Sequence, residues 1–541
     1  MSVDEKKTVD DSPRYEAGIA EEGEIINVSG HAQELDRSFG MLSVCAVGII
    51  SNNAWGAGGG TLVIALYNGG GPGVLYGLLA AAFFYAFICL GLAELASAIP
   101  SSANVYHWAS VTGGPKYGRV LSWYGGWFNG IAWVFGAAAV TLPGANVAIA
   151  VYALYHPEYV PERWHVFIAY LGITAIDGSL VLFGQKYLAR AASACGMLCM
   201  LIVFISTMVC AIMPSRTGAG YANNSFVWSD FQNLTGWSSN GFVFLMGMLN
   251  GAFTVGTPDG VCHMCEEMPN PRVNVPKGIA AQIIIGLLST FCFFTAILYS
   301  ITSLDDVFAT NIVSLPLAAI YQQATRSNAG TTALLILFLI NFLITIPGCQ
   351  VVCGRMLWTL ARDDATPASH WLRKVSPRWK NPFNAQLVVI AGILVLGCVY
   401  IGSATAFNAI VGSFAIMTTL SYLSALLPHL LTRRKNIKPG PFWMPSPWGE
   451  IALGVASTYI IVFNVIYCFP FSMPVTALGM NYASVMVGGI TVLLTGWYLW
   501  KRKHGYVGPQ VALDARDDIV VGIVGGGKSE EEGRRRRSLL R

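Results

Sequence analysis

Two stretches place Asn, Gly and aromatic residues inside otherwise apolar sequence. The first is Ser51-Asn52-Asn53-Ala54-Trp55-Gly56-Ala57-Gly58-Gly59-Gly60, and the second is Asn250-Gly251-Ala252-Phe253-Thr254-Val255-Gly256-Thr257-Pro258-Asp259-Gly260. Glycine costs about 1 kcal/mol in a helix interior, and proline removes a backbone donor. A helix that unwinds there frees N–H groups on one half-helix and C=O groups on the other. The N–H ends suit a carboxylate and the C=O ends suit an ammonium group. The expected substrate site is therefore Asn52, Asn53, Ala54, Trp55, Gly56, Ala57 and Gly58 together with Asn250, Gly251, Ala252, Phe253, Thr254 and Gly256. Trp55 and Phe253 are expected to form part of an aromatic box for an amine. Trp123, Trp127 and Trp133 read first as packing or interfacial residues. The competing reading of both stretches is close packing of helices through small residues.

Acidic residues inside apolar sequence are the second chemical signal, because each costs a few kcal/mol unless paired or wetted. Asp259 follows the second break, and Glu94 and Asp177 lie within other apolar stretches. Asp259 and Glu94 are assigned to coupling or gating. Glu266 and Glu267 are expected to face the aqueous phase. Cys262-His263-Met264-Cys265 has the form of half a metal site but has no second pair, so no metal and no other cofactor is expected. No nucleophile–base cluster and no phosphate-cradling loop is present, which argues against an enzyme and against ATP-driven work.

These residues must be positioned by membrane-spanning helices. Of the 541 residues, 54% are hydrophobic and 11% are charged, against about 25% charged in a soluble domain. That excludes a disordered chain, a nucleic-acid-binding protein and an ordinary soluble enzyme, and it makes the lipid bilayer the surrounding partner. No Asp, Glu, Lys or Arg occurs between Arg37 and Glu94, between Lys380 and Arg433, or between Glu450 and Lys501. A crossing needs about 20 apolar residues, so each gap holds two crossings and a turn. The turns are Asn68-Gly69-Gly70-Gly71-Pro72, Gly402-Ser403-Ala404-Thr405 and Pro470-Phe471-Ser472-Met473-Pro474.

The fold class expected is an all-α polytopic membrane protein of 12 transmembrane helices, at 40–66, 74–99, 121–152, 165–184, 189–213, 239–263, 278–303, 331–358, 385–402, 405–429, 449–470 and 480–500. With both termini cytoplasmic, only Arg163, Arg216 and Arg326 among the 33 Lys and Arg lie outside. The flanking tails, 1–39 and 504–541, read as disordered and cytoplasmic, and no cleavable signal is visible. All 12 Cys fall in or beside apolar spans, which argues against a disulfide framework. The sequons at Asn223 and Asn233 fall in an outside loop and are glycosylation candidates. The interrupted first and sixth spans are five helices apart, which points to a five-plus-five inverted repeat over about 40–213 and 239–429, with helices 11 and 12 (about 449–500) outside it.

Several longer motifs carry a family resemblance over nearly all of residues 38–503. They include Asn68 to Pro72 leading to Tyr76-Gly77, Gly91-Leu92-Ala93-Glu94-Leu95-Ala96-Ser97-Ala98-Ile99-Pro100, and Thr235-Gly236-Trp237-Ser238-Ser239. Asp259 to His263 followed by Glu266-Glu267-Met268-Pro269-Asn270-Pro271, Arg362-Asp363 with Pro367, and Asn436-Ile437-Lys438-Pro439-Gly440-Pro441-Phe442 extend it. The chain resembles the amino acid–polyamine–organocation superfamily, specifically the fungal amino acid/choline transporter family. The resemblance implies proton-linked uptake of choline, related amines, or amino acids such as 4-aminobutyrate in a fungal membrane, with spans 1 and 6 holding the substrate; the plasma membrane and an alternating-access permease are expected. Span 5 has no Lys between Arg190 and Arg216, so the lysine that serves some relatives in coupling has no counterpart here. The alternative is a nutrient sensor of the same fold that binds such solutes without major transport.

Overall fold

The computed structural model describes residues 40–509 except 157, 310–314 and 478, together with the backbone of two paired two-residue strands, β1 (Gly18–Ile19) and β2 (Ile25–Ile26). The expectations for the two tails fall largely outside the described residues. The chain then runs through α1 (Met41–Asn52), α2 (Ala54–Gly60), α3 (Leu62–Tyr67), β3 (Asn68–Gly69), α4 (Gly70–Ala98), α5 (Val105–Thr112), α6 (Gly114–Ala153), α7 (Arg163–Arg216), α8 (Asn224–Trp228), β4 (Gln232–Asn233) and α9 (Asn240–Val255). A 3-10 segment, Cys262–Glu267, follows. Next come α10 (Pro271–Tyr299), α11 (Leu304–Ala309), α12 (Pro316–Thr325), α13 (Asn328–Arg362), α14 (Ser369–Leu372), α15 (Phe383–Gly402), α16 (Ala404–Leu431), α17 (Trp448–Ile466) and α18 (Ala483–Lys503).

Among the described residues ten helical segments are long and apolar enough to cross a membrane. Two of them, Arg163–Gln185 and Arg190–Arg216, lie on the single helix α7. The turn expected between 184 and 189 is helical instead, and Gln185 to Arg190 contain neither Gly nor Pro to break the coil. The apolar stretch at 41–67 is split into α1, α2 and α3, and the stretch at 239–263 stops at Val255. Large apolar side chains such as Val492 and Leu493 on α18 stand more than 70% exposed, as expected of a surface that lipid covers.

The glycine run before α4 answers a backbone need. Gly69 and Gly70 have φ of 138° and 63°, and a Cβ on Gly71 would sit 2.4 Å from the Phe226 carbonyl oxygen. The run lets β3 pair antiparallel with β4, Asn68 opposite Asn233, and this ties the α3–α4 turn to the loop ahead of α9. Inside, α6 packs on α13 and α16, and α4 packs on α9 and α10, so that α2 and the end of α9 are enclosed.

Candidate substrate site

The first break is a single residue. Helix α1 ends at Asn52, Asn53 takes φ 38° and ψ 58°, and α2 begins at Ala54. Asn tolerates this left-handed conformation better than other non-glycine residues. The second break is longer. Helix α9 ends at Val255, the chain turns through Gly256–Val261, and the 3-10 segment begins at Cys262. Pro258 disfavours helical geometry at Thr257 and supplies no N–H, which sets the stop.

Each break is held by an asparagine from the other. Asn52 Nδ2 donates to the Thr254 carbonyl at 2.9 Å, and its Oδ1 accepts from the Thr257 hydroxyl at 3.0 Å. Asn250 Nδ2 donates to the Gly58 carbonyl at 3.0 Å and to the Thr61 hydroxyl at 2.8 Å. Gln282 on α10 adds a bond from Nε2 to the Thr257 carbonyl at 2.8 Å. The last-turn carbonyls of α9 and of α2 are thus satisfied by side chains.

Beside these clamps lies a cavity lined by both interrupted helices. Asn52, Gly56 and Ala57 form one wall, and Trp133, Phe253, Phe342 and Phe414 form the aromatic part. Phe253 and Phe414 stack with centroids 5.8 Å apart. The structure therefore brings Asn52, Gly56, Ala57 and Phe253 together at one cavity.

The other expected site residues sit elsewhere. Asn250, Gly251, Ala252 and Thr254, like the cavity residue Phe253, are helical in α9, and the unwinding expected over Asn250–Gly256 begins only at Gly256. A Cβ on Gly251 would meet Ala81 Cβ and the Gly77 carbonyl at 2.7 Å, so this glycine serves close packing against α4. A Cβ on Gly58 would lie 2.5 Å from Thr254 Oγ1, so Gly58 and Thr254 make the α2–α9 contact. Ala54 faces Gly286 of α10. Asn53 and Trp55 line a smaller hollow toward α7 and α10. Trp55 packs 5.2 Å from both Phe293 and Phe338, so the box of Trp55 with Phe253 does not form, and Trp133 and Phe414 stand beside Phe253 instead.

Asp259 is fully buried behind Trp133. Its Oδ2 accepts from Trp133 Nε1 at 3.0 Å, Asn129 Nδ2 at 2.8 Å and Asn104 Nδ2 at 3.1 Å, and it faces His263 Nε2 at 3.2 Å. Its Oδ1 takes the Tyr422 hydroxyl. Glu94 lies away from the cavity, bonded to Arg434 and His429. Glu266 and Glu267 are buried, contrary to expectation, because Arg362 and Arg355 of α13 pair with them at 3.0 and 2.5 Å. Asn223 is exposed, whereas the Asn233 amide nitrogen is engaged by the Trp237 carbonyl at 2.7 Å. Reading the sequence ranked Trp133 as a packing residue ahead of an aromatic-box residue, and missed Phe414 as a cavity wall and Asn104, Asn129 and Tyr422 as partners of Asp259. Asn129 and Tyr422, polar groups within long apolar helices, were the available signal.

A family model for amino acid permeases matches residues 39–492. The chain belongs to this permease family, within the amino acid–polyamine–organocation superfamily. It is 30% identical over 510 residues to a choline transporter of Saccharomyces cerevisiae, covering 93% of this chain and 86% of that protein. It is 25% identical over 498 residues to the amino-acid permease BAT1 of Arabidopsis thaliana, covering 89% and 94%. A manganese transporter structure from Eremococcus coleocola superposes with a TM-score of 0.51 at 13% identity, covering 87% of this chain and 94% of that one, and shares the fold. This permease is accordingly a multi-pass membrane transporter.

The corrected aromatic wall changes which substitution reports on an amine. Phe414→Ala in the permease is expected to weaken a quaternary amine by about 1 kcal/mol, or about fivefold, through loss of a cation–π face. Trp55→Phe is expected to leave that affinity unchanged. Competition binding to purified protein measures both, and the reverse ranking would return Trp55 to the site.

Proposed function

We propose that the chain carries a small amino acid or a choline-like amine across the plasma membrane by alternating access, driven by a proton, with both termini cytoplasmic. In this reading α1 to α3 make one crossing and α9 with the 3-10 segment another, which gives twelve crossings. The first ten form two five-helix repeats of opposite topology. The observation that carries the reading is the cavity flanked by two interrupted helices, each locked by an asparagine from the other. Reciprocal clamps of this kind suit two related halves that meet at a substrate. The relatives named as a choline transporter and an amino-acid permease support a solute of this size and leave two classes in play. The polar wall at Asn52 and Thr257 suits a carboxylate or hydroxyl, and the rings of Trp133, Phe253 and Phe414 suit an alkylated ammonium. The sensor alternative draws no support from these relatives.

Uptake of labelled choline, 4-aminobutyrate and a panel of amino acids into transport-deficient yeast, at two external pH values, tests the proposal. Saturable uptake of at least one solute, faster at acid pH, is expected. Surface-localised protein that takes up none of them would defeat the transporter reading.

A further inference from the structure

The 3-10 segment sets each ring nitrogen of His263 against an oxygen acceptor. Nδ1 lies 3.2 Å from the Ser102 carbonyl oxygen, and Nε2 lies 3.2 Å from Asp259 Oδ2. A carbonyl only accepts, so Nδ1 carries a hydrogen. An ionised carboxylate also only accepts, so Nε2 carries a second hydrogen whenever it bonds Asp259. With both nitrogens carrying hydrogen, the ring would be an imidazolium ion-paired with Asp259, and both partners are fully buried.

The carboxylate has more donors than it can hold. Four groups point at Oδ2 and the Tyr422 hydroxyl points at Oδ1. A carboxylate offers about four acceptor positions, about two on each oxygen. While His263 is doubly protonated, a proton placed on Asp259 would add a further donor among groups that already donate. The exchangeable proton therefore belongs to His263, and a partner stands ready when it leaves. Asn104 Nδ2 lies 3.2 Å from His263 Nε2 while it spans Asp259 Oδ2 and, at a long 3.5 Å, the Asp259 carbonyl. Turning one N–H from that carbonyl to the bare Nε2 satisfies the neutral ring.

We propose that His263 is the group that gains and loses the coupled proton, with Asp259 as its counter-ion and Asn104 as the donor that changes sides. The proposal rests on the transporter reading above and assigns its coupling step. Trp133 links the pair to the solute, because its ring walls the cavity and its Nε1 occupies Asp259 Oδ2. A solute that displaces Trp133 frees an acceptor position and strengthens the hold on the His263 proton, and by linkage the proton strengthens the hold on the solute. Tyr422 from α16, Tyr85 from α4 and Cys262 from the same segment are titratable groups that interact with Asp259. None of these is a permanent charge, and α6 contributes only Asn129 and Trp133.

The full chain in liposomes, probed with whichever labelled solute gives counterflow exchange, tests this. In the wild type an external acidification of about one pH unit should drive about tenfold accumulation if one proton accompanies each solute. His263→Asn should lower the ratio of gradient-driven accumulation to exchange about tenfold, to the level of simple equilibration. Asn104→Ala removes the donor to the neutral ring and one donor to the carboxylate, so the midpoint of the pH dependence should move to alkaline values. Gradient-driven accumulation that survives in His263→Asn would overturn the assignment. So would wild-type exchange that ignores the pH gradient, which leaves the transporter reading intact. If His263→Asn loses exchange altogether, Asn104→Ala decides, and a stationary or acid-shifted midpoint counts against the proposal. Wild-type protein that exchanges no solute defeats the transporter reading and this inference with it.

Discussion

Asp259→Ala is expected to abolish transport and to destabilise the folded protein by about 4 kcal/mol or more. The carboxylate receives donors from the α4–α5 loop, α6, α16 and the 3-10 segment, so it joins four separately folded pieces. Removing it leaves the Asn104 and Asn129 amides, the Trp133 indole and the Tyr422 hydroxyl in a dry interior without their acceptor, and each such orphan costs about 1–3 kcal/mol. It also strips the counter-ion from His263. Asn104 can turn to His263 and Asn129 keeps its bond to the Ser421 hydroxyl at 3.3 Å, which moderates the total. Asp259→Asn preserves shape and one acceptor oxygen, so it should recover much of the stability while transport stays at least about tenfold down, the loss of one charge-assisted bond network. Thermal unfolding in detergent separates the two variants. An alanine variant that melts with the wild type would mean that water, and not the protein, satisfies these donors.

Much of the framework was legible because bilayer chemistry writes it in one dimension. Charge-free runs locate the crossings, and the Gly69–Gly71 turn and the Pro258 stop follow from backbone sterics alone. The first break was legible only as the stretch Ser51 to Gly60, and the structure narrows it to Asn53. What remained hidden depends on which way a residue faces. Gly251 and Gly58 look like helix breakers in sequence, but each is small because another helix passes within a Cβ radius. Trp55 lies one helical step from the cavity residues Gly56 and Ala57, and that rotation sends its ring to Phe293 and Phe338. The Asp259 shell is assembled from Asn104, Asn129, Trp133, His263 and Tyr422, and no local pattern announces a cluster whose members are as many as 318 positions apart in chain order. Glu266 and Glu267 were misplaced because their partners, Arg362 and Arg355, are two turns apart on a helix about 90 residues downstream, a spacing that only the helical repeat makes meaningful.

Glu94→Ala should cost up to about 3–5 kcal/mol, the penalty for a buried charge that loses its main partner, moderated by Glu450, which stays 3.5 Å from Arg434. Glu94 sits fully buried near the end of α4 and uses both oxygens. Oε1 takes Arg434 Nε at 3.0 Å and His429 Nε2 at 3.1 Å, and Oε2 takes Arg434 Nη2 at 3.0 Å and the Met444 N–H at 2.9 Å. Arg434 is itself only 4% exposed at the side chain, lies 4.4 Å from the Trp443 ring centroid and holds a left-handed φ of 62°. The acid therefore pins the loop after α16 to α4. Helix α16 carries His429 at this cluster and Tyr422 at Asp259, two turns apart, so one rigid rod is anchored at both buried acids. Losing the Glu94 end frees the rod to shift at the other, which is why a loss of transport should accompany the loss of stability. Arg434→Met in the Glu94→Ala background removes a charge left with Glu450 alone and should return most of the lost stability, since a buried ion pair replaced by apolar groups is often neutral. A double-mutant cycle on unfolding free energies makes the test. Strong non-additivity is expected, and additive single effects would show that the pair is hydrated and that Glu94 anchors nothing.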